Sequence, residues 1–242
     1  MIMQLRKNQR RHILIDVDTQ KDFLSAWGSA RINNRQGVLT RIRRIISWVR
    51  VKNIPVISTA EVFPNRFSLD TSYCIDGTEG QHKISYTLLN NRISFPADGW
   101  NVLPGDLLRL HQQVILHKRC VDPFEEPSLE RLLSEVRADE FILIGCYAEE
   151  AIEATALGLL QRGRRVVVVS DAVGSRDEQR ATLAIRKIAA KGAQIVTTCD
   201  IAGFSHLASS NAIHREGFGR TGSILKYDFS PQLCLSYNRA HR

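Results

Sequence analysis

The chain has 242 residues, 43% hydrophobic and 24% charged, with a formal net charge of +8 at pH 7. That length accommodates one large α/β domain with a substantial core and does not require two, and the composition is that of a globular chain, not a disordered or fibrous one. No apolar run approaches the roughly 18 residues of a membrane span, and the basic start "MIMQLRKNQRRH" leads into a strand too short and too acid-ended for a signal peptide, so a cytoplasmic protein is expected.

In chain order, "HILIDV" (12–17) is the first of several near-continuous apolar runs, the pattern of a strand covered on both faces. Residues 36–52 then carry Ile42, Ile45, Ile46 and Val49 at helical spacing, which turns Arg43, Arg44 and Arg50 outward and leaves Arg41 at the border. "PVIST" (55–59) is the second strand. Residues 60–112 are a long excursion rich in Pro, Gly, Asn and Ser; they contain "CIDGTEGQ" and a short helix near 83–90, and read as a lid or binding loop. After "QVILHK" (113–118) come a helix at 127–138, the strand "EFILIG" (140–145) and a helix at 149–162 stopping at Gly163. "RVVVVSD" (165–171), a helix at 176–191 stopping at Gly192, and "AQIVTT" (193–198) complete the series. Alternation of this kind predicts a three-layer α/β/α fold around a mostly parallel, doubly wound sheet of about six strands. Residues 1–208 form the domain on this reading, and the weakly periodic 209–242 is a tail or a subunit-contact segment.

The five cysteines, Cys74, Cys120, Cys146, Cys199 and Cys234, show no CxxC spacing and no His partners at zinc-like intervals, which fits reduced thiols in a cytosol. Basic residues cluster at Arg6, Lys7, Arg10 and Arg11 and along 41–50, without interleaved aromatics and without a nucleic-acid motif. They read as a solvated surface, with any nucleic-acid binding non-specific.

Ligands of a parallel sheet bind beyond the carboxyl ends of its strands. Those ends carry Asp16 and Asp18, then Glu61, Lys118, the Gly145–Ala151 turn and Asp171. A carboxylate, a lysine and a helix start on one edge form a catalytic layout, because the lysine favours the ionised acid and helix amides hold an oxyanion. Asp171 is expected only to order the "DAVGS" turn.

"ILIDVDTQKDF" resembles the first strand motif, Asp-x-Gln-x-Asp-Phe, of the nicotinamidase and isochorismatase-like cysteine hydrolases; Gln20, Asp22 and Phe23 set the register and place Asp18 on the catalytic aspartate. "KRCVDPF" is similar to the lysine segment, with Lys118 as the catalytic lysine and Phe124 at its later aromatic position. "GCYAEEAIEATALGLLQRGRRVVVVSDAVGS" resembles the nucleophile segment, where a Gly precedes the catalytic Cys by six residues and a Thr-Ala pair follows; from Gly145 that position is Ala151, and Thr155-Ala156 keeps the frame. "CIDGTEG" resembles the Gly-Thr-x-Gly loop of the nicotinamidase branch. The resemblance covers residues 12–200 in order. It implies an Asp-Lys-Cys triad acting on a small amide or related C–N or C–O substrate, oxyanion contacts from Tyr147, Ala148 and Ala151, and a pocket lined by Phe23, Phe63, Tyr73 and Phe124.

The departures bear on activity. Ala151 supplies no nucleophile, Ala148-Glu149 stands where the family has Thr-Asp, and Glu61, Phe63 and Tyr73 occupy the places of the nicotinamidase metal ligands. No metal and no other cofactor is expected. Without the thiol the acyl-enzyme cannot form, and Cys146 and Cys120 are poor substitutes by position. Two histories fit: a natural pseudoenzyme, or a Cys→Ala variant of a working hydrolase. A small amide-like ligand and a homo-oligomer are the expected partners, with no membrane. The rival reading is a non-catalytic interaction protein whose basic surface binds a protein, RNA or another polyanion.

Overall fold

The computed structural model describes residues 11–64, 72–97 and 103–203; the basic Arg6, Lys7 and Arg10 and the segment 209–242 lie outside the described residues. Seven strands form one parallel sheet: β1 (His12–Val17), β2 (Val56–Glu61), β3 (Arg92–Phe95), β4 (Gln113–Lys118), β5 (Glu140–Cys146), β6 (Val166–Gly174) and β7 (Gln194–Val196), in spatial order β3-β4-β2-β1-β5-β6-β7. The apolar runs are strands because burial on both faces leaves no position for a polar alternation; every residue of β2 and β5 is buried.

Helices α1 (Lys21–Leu24), α2 (Arg35–Lys52), α3 (Leu107–Leu110), α4 (Pro127–Glu135), α5 (Glu153–Gln161), α6 (Glu178–Ala190) and α7 (Thr198–Ala202) complete the described residues. Two apolar layers result. On one face of the sheet Ile13, Ile15, Val17, Val114 and Leu116 pack with Leu129, Leu132, Ala151, Ala156 and Ile188. On the other, Leu14, Val56, Ile142 and Ile144 pack with Val38, Ile42, Ile45, Ile46 and Val49 of α2. The helical stripe read from the sequence is the buried one. No helix among the described residues is long and apolar enough to cross a membrane.

Several expectations are corrected. The parallel α/β/α sheet is as expected, with seven strands among the described residues; the one added to the six apolar runs is β3, inside the 60–112 excursion, which is four residues long and only partly buried at the edge and so gives no apolar run. The helix expected near 83–90 is a 3₁₀ turn at Ser85–Thr87. The helix expected from 149 begins as a π-type turn, Ala148–Ile152, before α5. Asp171 orders no turn there: β6 runs on to Gly174, and Asp171 Oδ1 accepts from the backbone N–H (2.7 Å) and hydroxyl (2.8 Å) of Thr198 at the start of α7. Gly163 and Gly192 do close their helices at positive φ, 67° and 105°.

Candidate active site

Along the chain the sheet grows from β1 in one direction to β2 and later in the other to β5, so the switch point lies between β1 and β5. Gly145, near the end of β5, pairs with Val17 there at φ 126°. A Cβ at Gly145 would lie 1.8 Å from the Val17 carbonyl oxygen, so only glycine permits this approach. The turn Ala148–Ile152 follows, and it carries Ala148, Ala151 and Ile152 into the core layer that contains Val17 and Leu116.

Strand register gathers the charges. Glu61 closes β2, Lys118 closes β4, and the two are direct partners. Side chains alternate along a strand, so the face bearing Ile57 and Leu116 also bears Glu61 and Lys118. Lys118 Nζ lies 2.8 Å from Asp18 Oδ2 and 2.9 Å from Glu61 Oε1, and its side chain is 1% exposed. It also donates to the carbonyls of Cys120 (2.9 Å) and Val121 (3.3 Å). Asp18, just past β1, is fixed by Thr59, whose hydroxyl donates to Oδ1 at 2.7 Å.

Gln20 and Asp22 support this group without touching Lys118. Gln20 Nε2 donates to the carbonyls of Glu61 and Gln81, both at 2.7 Å, while its Oε1 accepts from the Glu61 amide at 2.8 Å. Asp22 accepts from the amides of Ser29 (3.1 Å) and Cys74 (2.7 Å) and from the Ser29 hydroxyl (3.0 Å). Gly80 fits against this carboxylate only because it has no side chain; a Cβ there would lie 2.1 Å from Asp22 Oδ2. The strand motif thereby anchors the "CIDGTEG" loop beside the end of β2.

Three of the four expected pocket residues form one aromatic group with Tyr147. Ring centroids are 4.9 Å apart for Phe23 and Tyr147, 5.5 Å for Phe23 and Tyr73, and 5.6 Å for Phe63 and Tyr73. The Tyr147 hydroxyl donates to the Ala30 carbonyl. Phe124 is not among them: its ring lies beneath the Arg162 guanidinium, 4.1 Å from centroid to Cζ, and against Gly158 of α5. Arg176 belongs to no motif of the sequence, yet its guanidinium covers Tyr147 at 4.2 Å and pairs with Glu150 at 2.8 Å. Glu149 Oε1 accepts from the amides of Arg176 (2.9 Å) and Asp177 (3.0 Å), tying the start of α6 to the turn.

Two carboxylates around one ammonium leave an excess negative charge, and burial makes it costly. Burial, and then the nearby Asp18 charge, raise the Glu61 pKa from 4.5 to about 7, against the opposing pull of Lys118. For Lys118 burial acts downward, but the charges of Asp18 and Glu61 outweigh it and hold the ammonium above its ordinary value. Burial pushes the thiols of Cys74 and Cys146 well up and that of Cys120 to about 11. Cys146 belongs to the opposite core layer from Ala151, and Cys120 Sγ is hydrogen-bonded to the Asp122 carbonyl at 3.1 Å. Neither thiol is an activated nucleophile facing Ala151.

Among the described residues no group of three or more His, Cys, Asp or Glu side chains is arranged to hold a metal ion. Phe63 and Tyr73 meet edge to face at the positions where the resemblance has metal ligands, and Glu61 is engaged by Lys118. These residues do not fit a divalent site.

Residues 12–200 match the Isochorismatase domain family over this whole arrangement. The chain belongs to the isochorismatase family. Over 142 residues it is 23% identical to N-carbamoylsarcosine amidase from an Arthrobacter species, a match spanning 57% of this chain and 50% of that protein. It shares its fold with a Bacillus subtilis nicotinamidase (TM-score 0.61, 19% identity), covering 77% of this chain and 99% of that one. It is also similar to a ribonuclease from Caenorhabditis elegans, with a TM-score of 0.55 and 25% identity over 80% of this chain and 81% of the other.

Proposed function

We propose that this member of the family takes a small amide, or a related C–N or C–O compound, at the carboxyl edge of the sheet, and that it does not turn amides over through a covalent intermediate. The observation that carries the reading is Lys118 held between Asp18 and Glu61 at 2.8 and 2.9 Å in a buried setting beside the switch point. Both the carbamoylsarcosine enzyme and the nicotinamidase are amidases by name. In the proposed arrangement Asp18 and Lys118 are the catalytic pair, Tyr147, Ala148 and Ala151 form the oxyanion side, and Phe23, Phe63 and Tyr73 shape the pocket. Ala151 ends the covalent route, since a methyl group cannot attack a carbonyl carbon.

The test is Ala151→Cys. The chain as it stands is expected to hydrolyse no nicotinamide. The variant is expected to carry a thiol titrating below the ordinary value of about 8.5, because the Lys118 charge and the helix start favour thiolate. Alkylation by iodoacetamide followed against pH reads this directly. A thiol that titrates at or above the ordinary value would show that the pocket is not organised for nucleophilic chemistry.

A second reading, sequence-independent binding of single-stranded RNA by a basic surface, has its own support. The net charge is +8, and a ribonuclease is among the relatives sharing the fold. Phosphate neutralisation alone supplies such binding.

A further inference from the structure

The edge opposite the candidate active site, where the strands begin, bears an open cavity of about 840 Å³. This falls in the size range of small-molecule sites. It is bounded by the start of β1, the end of α2, α3 and the end of α4. Its floor is apolar, built from Ile13, Ile54, Leu107 and Leu132, all buried. Its rim carries Arg11, Lys52 and Arg137, all exposed, and the half-buried indole of Trp48.

These three cations differ from those along α2. Arg41 is paired with Asp171 at 3.1 Å, and Arg43 and Arg50 lie over the Tyr86 ring at 5.4 and 5.3 Å. Arg50 also donates to the carbonyls of Tyr86 and Leu88. Among the described residues the side chains of Arg11, Lys52 and Arg137 form no ion pair within 4 Å. Of the other charged groups on the rim, Arg109 is near Asp106 at 3.5 Å and His12 near Glu140 at 3.2 Å. The Asp139 carboxylate lies close to Arg11, accepting from its backbone amide at 2.7 Å; the cavity combines an apolar floor, an aromatic face and exposed positive charge.

We propose that this cavity binds a nucleotide of a single-stranded RNA, with the base against Trp48 and the flanking phosphates on Arg11, Lys52 and Arg137. The proposal rests on the second reading above and gives it a location. The chemistry selects the ligand. An acidic run of a peptide offers charge but not a flat ring at every step, a bilayer surface is too flat to enter a cavity, and a duplex hides its base faces. Single strands present both a ring and a phosphate at each step.

The experiment is fluorescence anisotropy of a labelled oligo(U) of about ten nucleotides, a length within the usual span of single-strand sites, with the full chain. Trp48→Ala is expected to weaken binding roughly tenfold, the scale of one lost base stack. The double variant Lys52→Gln, Arg137→Gln is expected to weaken it and to lower the slope of log affinity against log salt by about 1.4, the share of two phosphate contacts on a single strand. Arg43→Gln should leave both unchanged. Both rim cations are exposed, so the double variant stays informative even if Trp48→Ala does not fold. Oligo(U) binding that is unaffected by the rim variants would overturn the location while sparing the second reading. No oligo(U) binding by the unaltered chain would overturn both. Equal or tighter binding of duplex RNA or poly-glutamate would overturn the choice of ligand.

Discussion

The two edges of this sheet use positive charge in opposite ways. At the carboxyl edge Lys118 is buried and its ammonium is surrounded by four oxygens, two of them from Asp18 and Glu61. At the amino edge Arg11, Lys52 and Arg137 stand in water around a cavity. Burial decides what each charge is worth. A buried ion needs its partners to compensate for lost hydration, so each member of the group depends on the others. An exposed cation is hydrated already, and its removal costs the fold little. The carboxyl edge is therefore where substitutions are expected to act most strongly on stability, and the amino edge is where they cost the fold little.

The largest effect that would break this contrast is at Lys118. Lys118→Met leaves two carboxylates facing each other in a buried site, and it should lower stability by about 3–5 kcal/mol, or roughly 6–20 °C in melting temperature at this chain length. Adding Asp18→Asn should recover much of the loss, since Glu61 then holds its proton with no charge beside it. A thermal-denaturation cycle measures the coupling; losses that simply add would mean that the two residues do not form a pair.

A middle-sized effect comes from Glu61. Its folded pKa of about 7 lies above the ordinary 4.5, so between those values the folded chain binds a proton that the unfolded chain has released. The associated stability is fully present below about pH 4.5 and is lost as pH rises through 7, a decline of about 3 kcal/mol. Glu61→Gln should flatten it. Histidines titrate in the same window, so the quantity to read is the difference between the two urea-denaturation curves from pH 5 to pH 8. Parallel curves would show that Glu61 is ionised throughout.

Glu61 also marks the boundary of what the sequence makes legible. Asp18 and Lys118 stand out because each sits in a motif at the end of an apolar run, and the chain brings them to 2.8 Å. Glu61 is equally visible at the end of β2, but its importance depends on the register that sets it opposite Lys118, and register is a property of two distant segments. The same holds for α2. Its apolar stripe follows from helical spacing, whereas the partners of its arginines, Asp171 and Tyr86, come from β6 and the long excursion. β3 escaped because an edge strand keeps a polar face. Phe124 follows Lys118 in its motif, but the side-chain-free surface of Gly158 lets its ring pack onto α5. Local pattern reports burial and periodicity; which charged or aromatic groups meet is written in pairings between elements.

The smallest expected effect sharpens the contrast from the other side. Lys52 lies in the last turn of α2 and Arg137 shortly after α4, both exposed and without an ion pair among the described residues. Lys52 interacts favourably with the negative end of the α2 dipole, a contribution of a few tenths of a kcal/mol that salt screens. Replacing either residue by Gln removes no buried group and leaves no polar atom without water. Each single change should therefore move stability by less than about 0.5 kcal/mol, a shift of roughly 1–2 °C in melting temperature. The small effect at Lys52 should fade as salt is raised, because an exposed charge near a helix end is screened within about 10 Å at 0.1 M. Calorimetric melting at low and moderate salt measures both quantities. A loss several times larger at Lys52 or Arg137, persisting in salt, would mean that these cations hold the fold as Lys118 does, and the division of labour between the two edges would fall.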